Sequence, residues 1–237
     1  MSSKEKEESQ DFAWRWRLEE RQVPAVLSED RLSVVFHPRQ SNGCLAIKGD
    51  CPLLKHMEHW FEVELSPPLH GQARMIGLGD KYTRLQSNSK DFSPLIGRDC
   101  SSWGLNYNGK TLHDGETRDY AEAPERSAPL KMGLYYDSYY GNIAFMLNEK
   151  NCGIAFQNIA VNLDLYPLIC ATPRGCQMKL TYSYSSVISL KALCRGSIRL
   201  CVQDEELIEK LPVPPHLKAY LLFKEYQMPK SYYHNYY

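Results

Sequence analysis

Between residues 31 and 185, apolar side chains return at every second position in segment after segment. That period suits strands with one buried face and excludes amphipathic helices. Leu32, Val34 and Phe36 alternate with Ser33 and Val35, and Phe61, Val63 and Leu65 alternate with Glu62 and Glu64. Met178, Leu180, Tyr182 and Tyr184 alternate with Gln177, Lys179, Thr181 and Ser183. Turn signals separate the runs: Ser41-Asn42-Gly43, Asn106-Tyr107-Asn108-Gly109, Gly141-Asn142 and Asn148-Glu149-Lys150-Asn151. Many short strands without intervening helical periods predict an antiparallel β-sandwich. On that pattern Glu62 and Glu64 belong to a solvated face. Helical character returns only after about residue 187, so a domain boundary is expected near Ser185-Ser186.

Beyond that boundary the period changes. Leu190, Leu193, Cys194, Ile198 and Cys201 share one helix face, with Arg195 and Arg199 to its side and Ser189 as N-cap or first-turn residue. Asp204, Glu205 and Glu206 open a second short helix, where negative charge suits the dipole. Pro212 and Pro214 impose extended backbone, and Pro215 fits the first turn of a last helix carrying Leu217, Tyr220 and Leu221. Such a segment either covers its own domain or is bound by other proteins.

Composition closes off several functions. A chain of 237 residues holds one or two domains with one sizeable core. Its 28 Lys and Arg match 28 Asp and Glu, so bulk charge gives no footprint for nucleic acid or an anionic membrane. No apolar run approaches the roughly 18 residues of a membrane span. Residues 1–10 lack the apolar core of a secretory signal and read as a polar tail. The eight cysteines show no CxxC and no zinc-ligand spacing with histidine, so buried free thiols in a reducing compartment, cytoplasmic or nuclear, are expected. Gly-x-Ser-x-Gly and phosphate-cradling glycine loops are missing, and His56 and His59 have no third ligand nearby in sequence. No catalytic residue, cofactor or metal is therefore expected. Trp60 and Trp103 read as core aromatics, and Gly77, Gly79 and Gly104 as turn or close-packing glycines.

The C-terminal pattern is specific enough to compare. Ser189-Leu190-x-x-x-Cys194-x-x-x-Ile198, with Leu211-Pro212-Val213-Pro214 beginning 17 residues after Cys194, resembles a SOCS box over residues 186–226. That resemblance implies that Ser189, Leu190, Leu193, Cys194 and Ile198 dock elongin B and elongin C. It further implies that Leu211, Pro212, Val213 and Pro214 select a cullin, which brings a RING protein. Upstream, His59-Trp60-Phe61-Glu62-Val63, Ile76-Gly77-Leu78, Ser102-Trp103-Gly104-Leu105, Gly133-Leu134-Tyr135-Tyr136-Asp137 through Gly141 to Ala144-Phe145, and Leu165-Tyr166-Pro167 look like the ordered landmarks of a SPRY domain. The landmarks cover roughly residues 30–185 of a domain placed at 11–185. Nearly the whole chain thus resembles the SPRY domain and SOCS box family. Phe36-His37-Pro38 and Leu95-Ile96-Gly97-Arg98-Asp99 look most like its divergent third mammalian member.

The resemblance implies a mainly β chain: a bent antiparallel β-sandwich, SPRY/B30.2-like, followed by a small α-helical SOCS box. It implies a non-catalytic substrate-recognition subunit of a cullin–RING ubiquitin ligase that binds a short linear motif of its target. Ubiquitin transfer then belongs to the recruited RING protein and conjugating enzyme. The positions matching the family's peptide pocket are Phe36, Pro38 and Gln40 in an early loop, Phe92 and Leu95 in a middle one, and Thr172, Pro173 and Arg174 in a late one. Only Pro38 and Leu95 keep the family's residue there. His37, Arg39 and Gly175 complete the expected face. Without the family's early Arg and late Trp, its acidic, asparagine-rich motif does not transfer. The alternative is a SPRY scaffolding module whose C-terminal helices pack in cis. The role of the Tyr-rich tail, 227–237, is left open.

Overall fold

A computed structural model describes residues 12–19, 24–202 and 204–224. The expected tails at 1–10 and 227–237 lie outside them. The described residues form β1 (Trp16–Arg17), β2 (Ala25–Leu27), β3 (Ser33–Phe36), β4 (Leu45–Gly49), β5 (Met57–Leu65), β6 (Arg74–Gly79), β7 (Ser102–Asn106) and β8 (Lys110–His113). Then come β9 (Glu116–Asp119), β10 (Leu130–Asp137), β11 (Asn142–Leu147), β12 (Lys150–Phe156), β13 (Tyr166–Ala171) and β14 (Cys176–Val187). Helices α1 (Leu190–Cys201), α2 (Glu205–Glu209) and α3 (Pro215–Leu221) follow. The strands make two antiparallel sheets, ordered β1-β4-β13-β6-β7-β8-β9 and β12-β11-β10-β5-β14-β3-β2.

The inner faces supply the core. Val34, Phe36, Phe61, Val63, Leu65, Met178 and Leu180, all on the expected alternation, pack with Ile47, Ile76 and Leu105 from across the sandwich. The alternation misleads further along β14. A bulge between Leu180 and Tyr182 shifts the register, so Tyr182 pairs with Glu62 and joins the opposite face beside Trp60 and Tyr135. β14 also runs two residues past the expected boundary, to Val187.

Both outer faces are covered, which single-face alternation does not foresee. On the first sheet, Ile96 and Leu95 close over Ala46, Met75, Leu168 and Cys170. Gly77 and Gly104 make room for this: a Cβ at either would press on the Ile96 side chain. On the second sheet the C-terminal helices cover β5, β10 and β14. Glu62 on that sheet is buried, accepting a hydrogen bond from Thr181 Oγ1 at 2.7 Å, and does not face solvent as alternation predicts. The cysteines also depart from expectation. All eight are unpaired, but Cys51, Cys100, Cys194 and Cys201 are exposed.

Candidate functional site

Helix α1 begins where the Ser189 side chain accepts a hydrogen bond from the Ala192 amide at 3.1 Å. Its orientation is the informative feature. The face turned to the sandwich is Ala192, Arg195 and Gly196, all buried. Leu190 is 76% exposed, and Cys194, Ile198, Leu200 and Cys201 are exposed beside it. Leu193 is half-buried. The apolar stripe therefore looks outward and a cation looks inward, the reverse of a helix packed in cis by its hydrophobic face.

Arg195, 2% exposed, is held by the second sheet. Its Nη2 donates to Tyr135 Oη at 3.0 Å, and the same hydroxyl donates to Glu58 Oε1 at 2.6 Å. Glu58 Oε1 lies 3.9 Å from the guanidinium, which stacks over the Phe223 ring at 3.8 Å and the Tyr220 ring at 4.7 Å. Burial raises the Glu58 pKa, with the Tyr135 hydroxyl and Arg195 opposing it. Burial also raises Asp137, whose carboxylate accepts from the Tyr139 and Tyr140 amides at 2.9 and 3.1 Å. Gly196 lets the helix settle on Tyr140; any Cβ there would fall inside the ring. Sequence reading put Arg195 to the side of a stripe. The signal for its burial was two acids, Glu58 and Asp137, far away in the chain.

Asp204 caps α2 and Pro215 opens α3 from its first turn. Between them Pro212 and Pro214 are exposed, whereas Leu211 packs partly against Ile208, Leu221 and Leu222. The Leu-Pro-Val-Pro element thus contains an internal anchor and exposed prolines.

A cleft of about 170 Å³ lies at the other end of the sandwich, lined by Pro24, His37, Gln40, Asn42 to Leu45, Gln86, Ser87 and Ser89. Hydrogen bonds from the Lys90 amide to the Asn42 carbonyl and from the Cys44 amide to the Asp91 carbonyl, 2.9 and 3.1 Å, close its wall. Gly43, at φ +145°, allows the two turns to meet, because a Cβ there would strike Ser87. His37, 3% exposed, adopts φ +48°, a left-handed conformation costing on the order of 1 kcal/mol for a non-glycine residue. Its amide donates to the Pro24 carbonyl at 2.6 Å, and its carbonyl accepts from the Gly175 amide at 3.1 Å. Nε2 sits 3.2 Å from the Ala171 carbonyl, while Nδ1 has no hydrogen-bond partner among the described residues. Burial lowers the ring's pKa.

The expected pocket residues divide. His37 and Gln40 line the cleft, and Pro38, Arg39, Arg174 and Gly175 are exposed around the early and late loops. Phe92 is half-buried beside the Asp91 turn. Phe36 (0% exposed) and Leu95 (1%) are core side chains and cannot touch a ligand. Thr172 is buried with its hydroxyl on the Ala73 amide at 3.1 Å, and Pro173 is buried too. These four brace the loops: Phe36 ends β3, Thr172 and Pro173 follow β13, and Leu95 packs from its loop onto the first sheet. Sequence reasoning missed Asn42, Gln86, Ser87 and Ser89; Ser41-Asn42-Gly43 was legible only as a turn.

Strand register measures the gap between the two surfaces. Leu65, at one end of β5, pairs with Met178 near the Phe36 end, whereas Met57 at the other end pairs with Val187, next to α1. Nine residues of strand separate them by about 27 Å. Among the described residues no three His, Cys, Asp or Glu side chains converge to hold a metal, and no helix is long and apolar enough to cross a membrane.

Comparison with known proteins agrees with this division. The SPRY domain family model matches residues 58–183, and the SOCS box family model residues 186–222. The chain is 32% identical over 216 residues to SPRY domain-containing SOCS box protein 3 of Xenopus tropicalis, covering 91% of this chain and 59% of that protein's length. It is 26% identical over 223 residues to SPRY domain-containing SOCS box protein 1 of Homo sapiens, covering 88% and 80%. Among solved structures, the TRIM65 PSpry domain superposes with a TM-score of 0.52 at 22% identity, covering 67% of this chain and 84% of that one, a likeness of fold.

Proposed function

Because this chain belongs to the SPRY domain and SOCS box family, we propose that it is the substrate-recognition subunit of an elongin B/C–cullin–RING ubiquitin ligase. The single observation that carries this reading is the outward stripe of Leu190, Cys194 and Ile198 on a helix whose other face is already anchored by Arg195 and Gly196. A helix that only covered its own domain would bury those residues. Leucine and isoleucine left in water forgo about 1.5–3 kcal/mol each, which a partner's groove recovers. In this reading Leu193 and the Ser189 cap complete the elongin surface, and Leu211 to Pro214 meet the cullin. The target is held about 27 Å away along β5. The His37, Gln40 and Asn42 cleft takes a short segment of the target, with Pro38, Arg39, Phe92, Arg174 and Gly175 at its rim. The subunit positions target lysines and does no chemistry itself, and eight unpaired thiols suit a reducing cytosolic or nuclear compartment.

Co-expression with elongin B and C tests this. Leu190→Ala with Cys194→Ala removes two adjacent anchors at about 2 kcal/mol each, a loss on the order of a thousandfold in affinity. Undiminished co-purification of both adaptors with the double variant would overturn the assignment.

A further inference from the structure

Seven residues of α1 are exposed, whereas a stable protein–protein interface takes about 20–30 residues from each side. A partner seated on Leu190, Cys194 and Ile198 therefore needs neighbouring surface, and the two flanks of the helix differ. On one flank Lys191 lies over the Tyr220 ring at 4.1 Å, a charged border. On the other, the apolar surface continues onto the sandwich. Val187, three residues before Leu190 at the end of β14, is 77% exposed. It pairs with Met57, whose amide donates to the Ser138 hydroxyl at 2.8 Å. Ser138 Oγ lies 3.2 Å from the Leu54 carbonyl, which brings Leu54 (63% exposed) and Tyr139 (45%) to the same corner. The Tyr139 ring meets His56 edge-on at 5.9 Å and Tyr140 at 4.9 Å. Tyr140 Oη in turn donates to the Leu193 carbonyl of α1 at 2.9 Å. Lys55, the exposed cation between Leu54 and His56, is drawn away to Asp164 at 3.0 Å and the Asn162 carbonyl at 2.9 Å.

We propose that the elongin B/C pair seated on the α1 stripe also covers this corner of the sandwich, Leu54, His56, Tyr139 and Val187. The proposal rests on the adaptor reading of α1 and extends it onto the other domain. Continuity selects the occupant. Leu190 to Ile198 is about 12 Å of helix, and the three residues back to Val187 add at most about 10 Å, so the two apolar surfaces form one strip. A second copy of the chain on the corner would lie across the approach to Leu190. The corner's chemistry also suits an interface core, with two aliphatic side chains, a tyrosine and an imidazole, and its one exposed cation paired elsewhere. The adaptor then grips both domains directly. The sandwich is oriented by its own contact as well as through α1, and the target cleft at its far end is held at a fixed angle to the ligase.

The test combines Leu54→Ser, Tyr139→Ser and Val187→Ser in the full chain, which competes with a tagged native chain for limiting elongin B and C during co-expression. All three side chains are exposed, so the variant should fold and keep a native circular dichroism spectrum. Its capture on the adaptors should fall about tenfold below that of the native chain. Val26→Ser is the control and should compete equally. Val26 is 52% exposed on the same sheet, but it pairs with Val35 opposite Gln177, ten residues along β14 from Val187. Tyr139→p-benzoylphenylalanine, irradiated in the complex, should cross-link to an adaptor subunit. Equal capture of the triple variant, while Leu190→Ala with Cys194→Ala is outcompeted, overturns the corner and leaves the adaptor reading standing. Equal capture of the Leu190 and Cys194 variant overturns both. Cross-linking from position 139 to a second copy of the chain, or to no adaptor subunit, also overturns the corner.

Discussion

Replacing Arg195 with methionine tests what fixes the helical module to the sandwich. Arg195→Met keeps an apolar stem for Phe223 and Tyr220 to pack on but removes the guanidinium that donates to Tyr135 and faces Glu58. Tyr135 Oη and Glu58 Oε1 stay behind, 2.6 Å apart and buried. Removing one partner of a buried pair costs about 3–5 kcal/mol, mostly through the charge left uncompensated. At about 2–4 °C per kcal/mol for a chain of this size, Tm falls by roughly 6–20 °C. The penalty depends on pH with a definite sign. Burial raises the Glu58 pKa above the ordinary carboxylate value, so its burial is tolerated while it is protonated and grows costly as pH rises toward the folded value. Arg195→Met should therefore be most damaging at alkaline pH and mildest near pH 4. Glu58→Gln removes the orphaned charge, so the double variant should recover at least half the loss. Calorimetry of the four proteins of this cycle, with limited proteolysis across residues 188–204, is the assay. If Arg195→Met melts within 2 °C of the native chain at pH 7.5, or Glu58→Gln adds its own full loss, the buried pair is not what holds the module.

Acidification should destabilise the sandwich through its buried histidines. His37 and His59 have pKa values lowered by burial, so they stay neutral when folded and take up protons when unfolded. Their contribution is complete above the ordinary imidazole value and is lost as pH falls through the folded values. Glu58 and Asp137 titrate with the opposite sign, so the readout is a smaller Tm drop between pH 7.5 and 5.5 in His59→Gln than in the native chain. At the cullin element, Pro212→Ala with Pro214→Ala should lower cullin recruitment and spare elongin B and C, because those side chains are exposed and Leu211, the internal anchor, is untouched; pull-down of a preformed adaptor complex with the cullin decides it, and loss of the adaptors would refute the division. At the far end, Gln40→Ala with Arg174→Ala should weaken capture of a co-purified target at least tenfold while unfolding stability changes by less than about 0.5 kcal/mol per exposed site. Normal capture by that variant would misplace the target cleft.

Much of the β-sandwich is legible in the chain because period two is a local property: Val34, Phe36, Phe61, Val63, Leu65, Met178 and Leu180 all face the core they were expected to face. What escapes is whatever depends on two distant segments meeting. The bulge that turns Tyr182 outward is a matter of pairing with Glu62, 120 residues away, and nothing in the Met178-to-Tyr184 run marks it. The burial of Glu62 depends on partners from distant strands, Thr181 of β14 and Lys131 of β10. At the cleft, the resemblance pointed to loops that border it but not to most of the residues that line it. Pocket positions aligned by sequence include Phe36, Leu95, Thr172 and Pro173, which hold the loops in shape from beneath, whereas Asn42, Gln86, Ser87 and Ser89 line the surface.

The same limit explains why the sequence could not choose between the two readings of the C-terminal helices. Periodicity identifies a stripe on α1 without saying which way it faces, and most stripes face inward. Here the choice is made by the residues between the apolar ones. Gly196 leaves the helix narrow enough to lie against Tyr140, and Arg195 enters a sheet face carrying Glu58 and Asp137, acids already burdened by burial. Leucine at 195 would leave those acids unrelieved, and alanine at 196 would lift the helix off Tyr140. Rotating α1 to bury Leu190 and Ile198 would pull Arg195 out of that cage and set apolar side chains against carboxylates. Electrostatics therefore holds one face of α1 to its own domain and leaves the hydrophobic face turned outward.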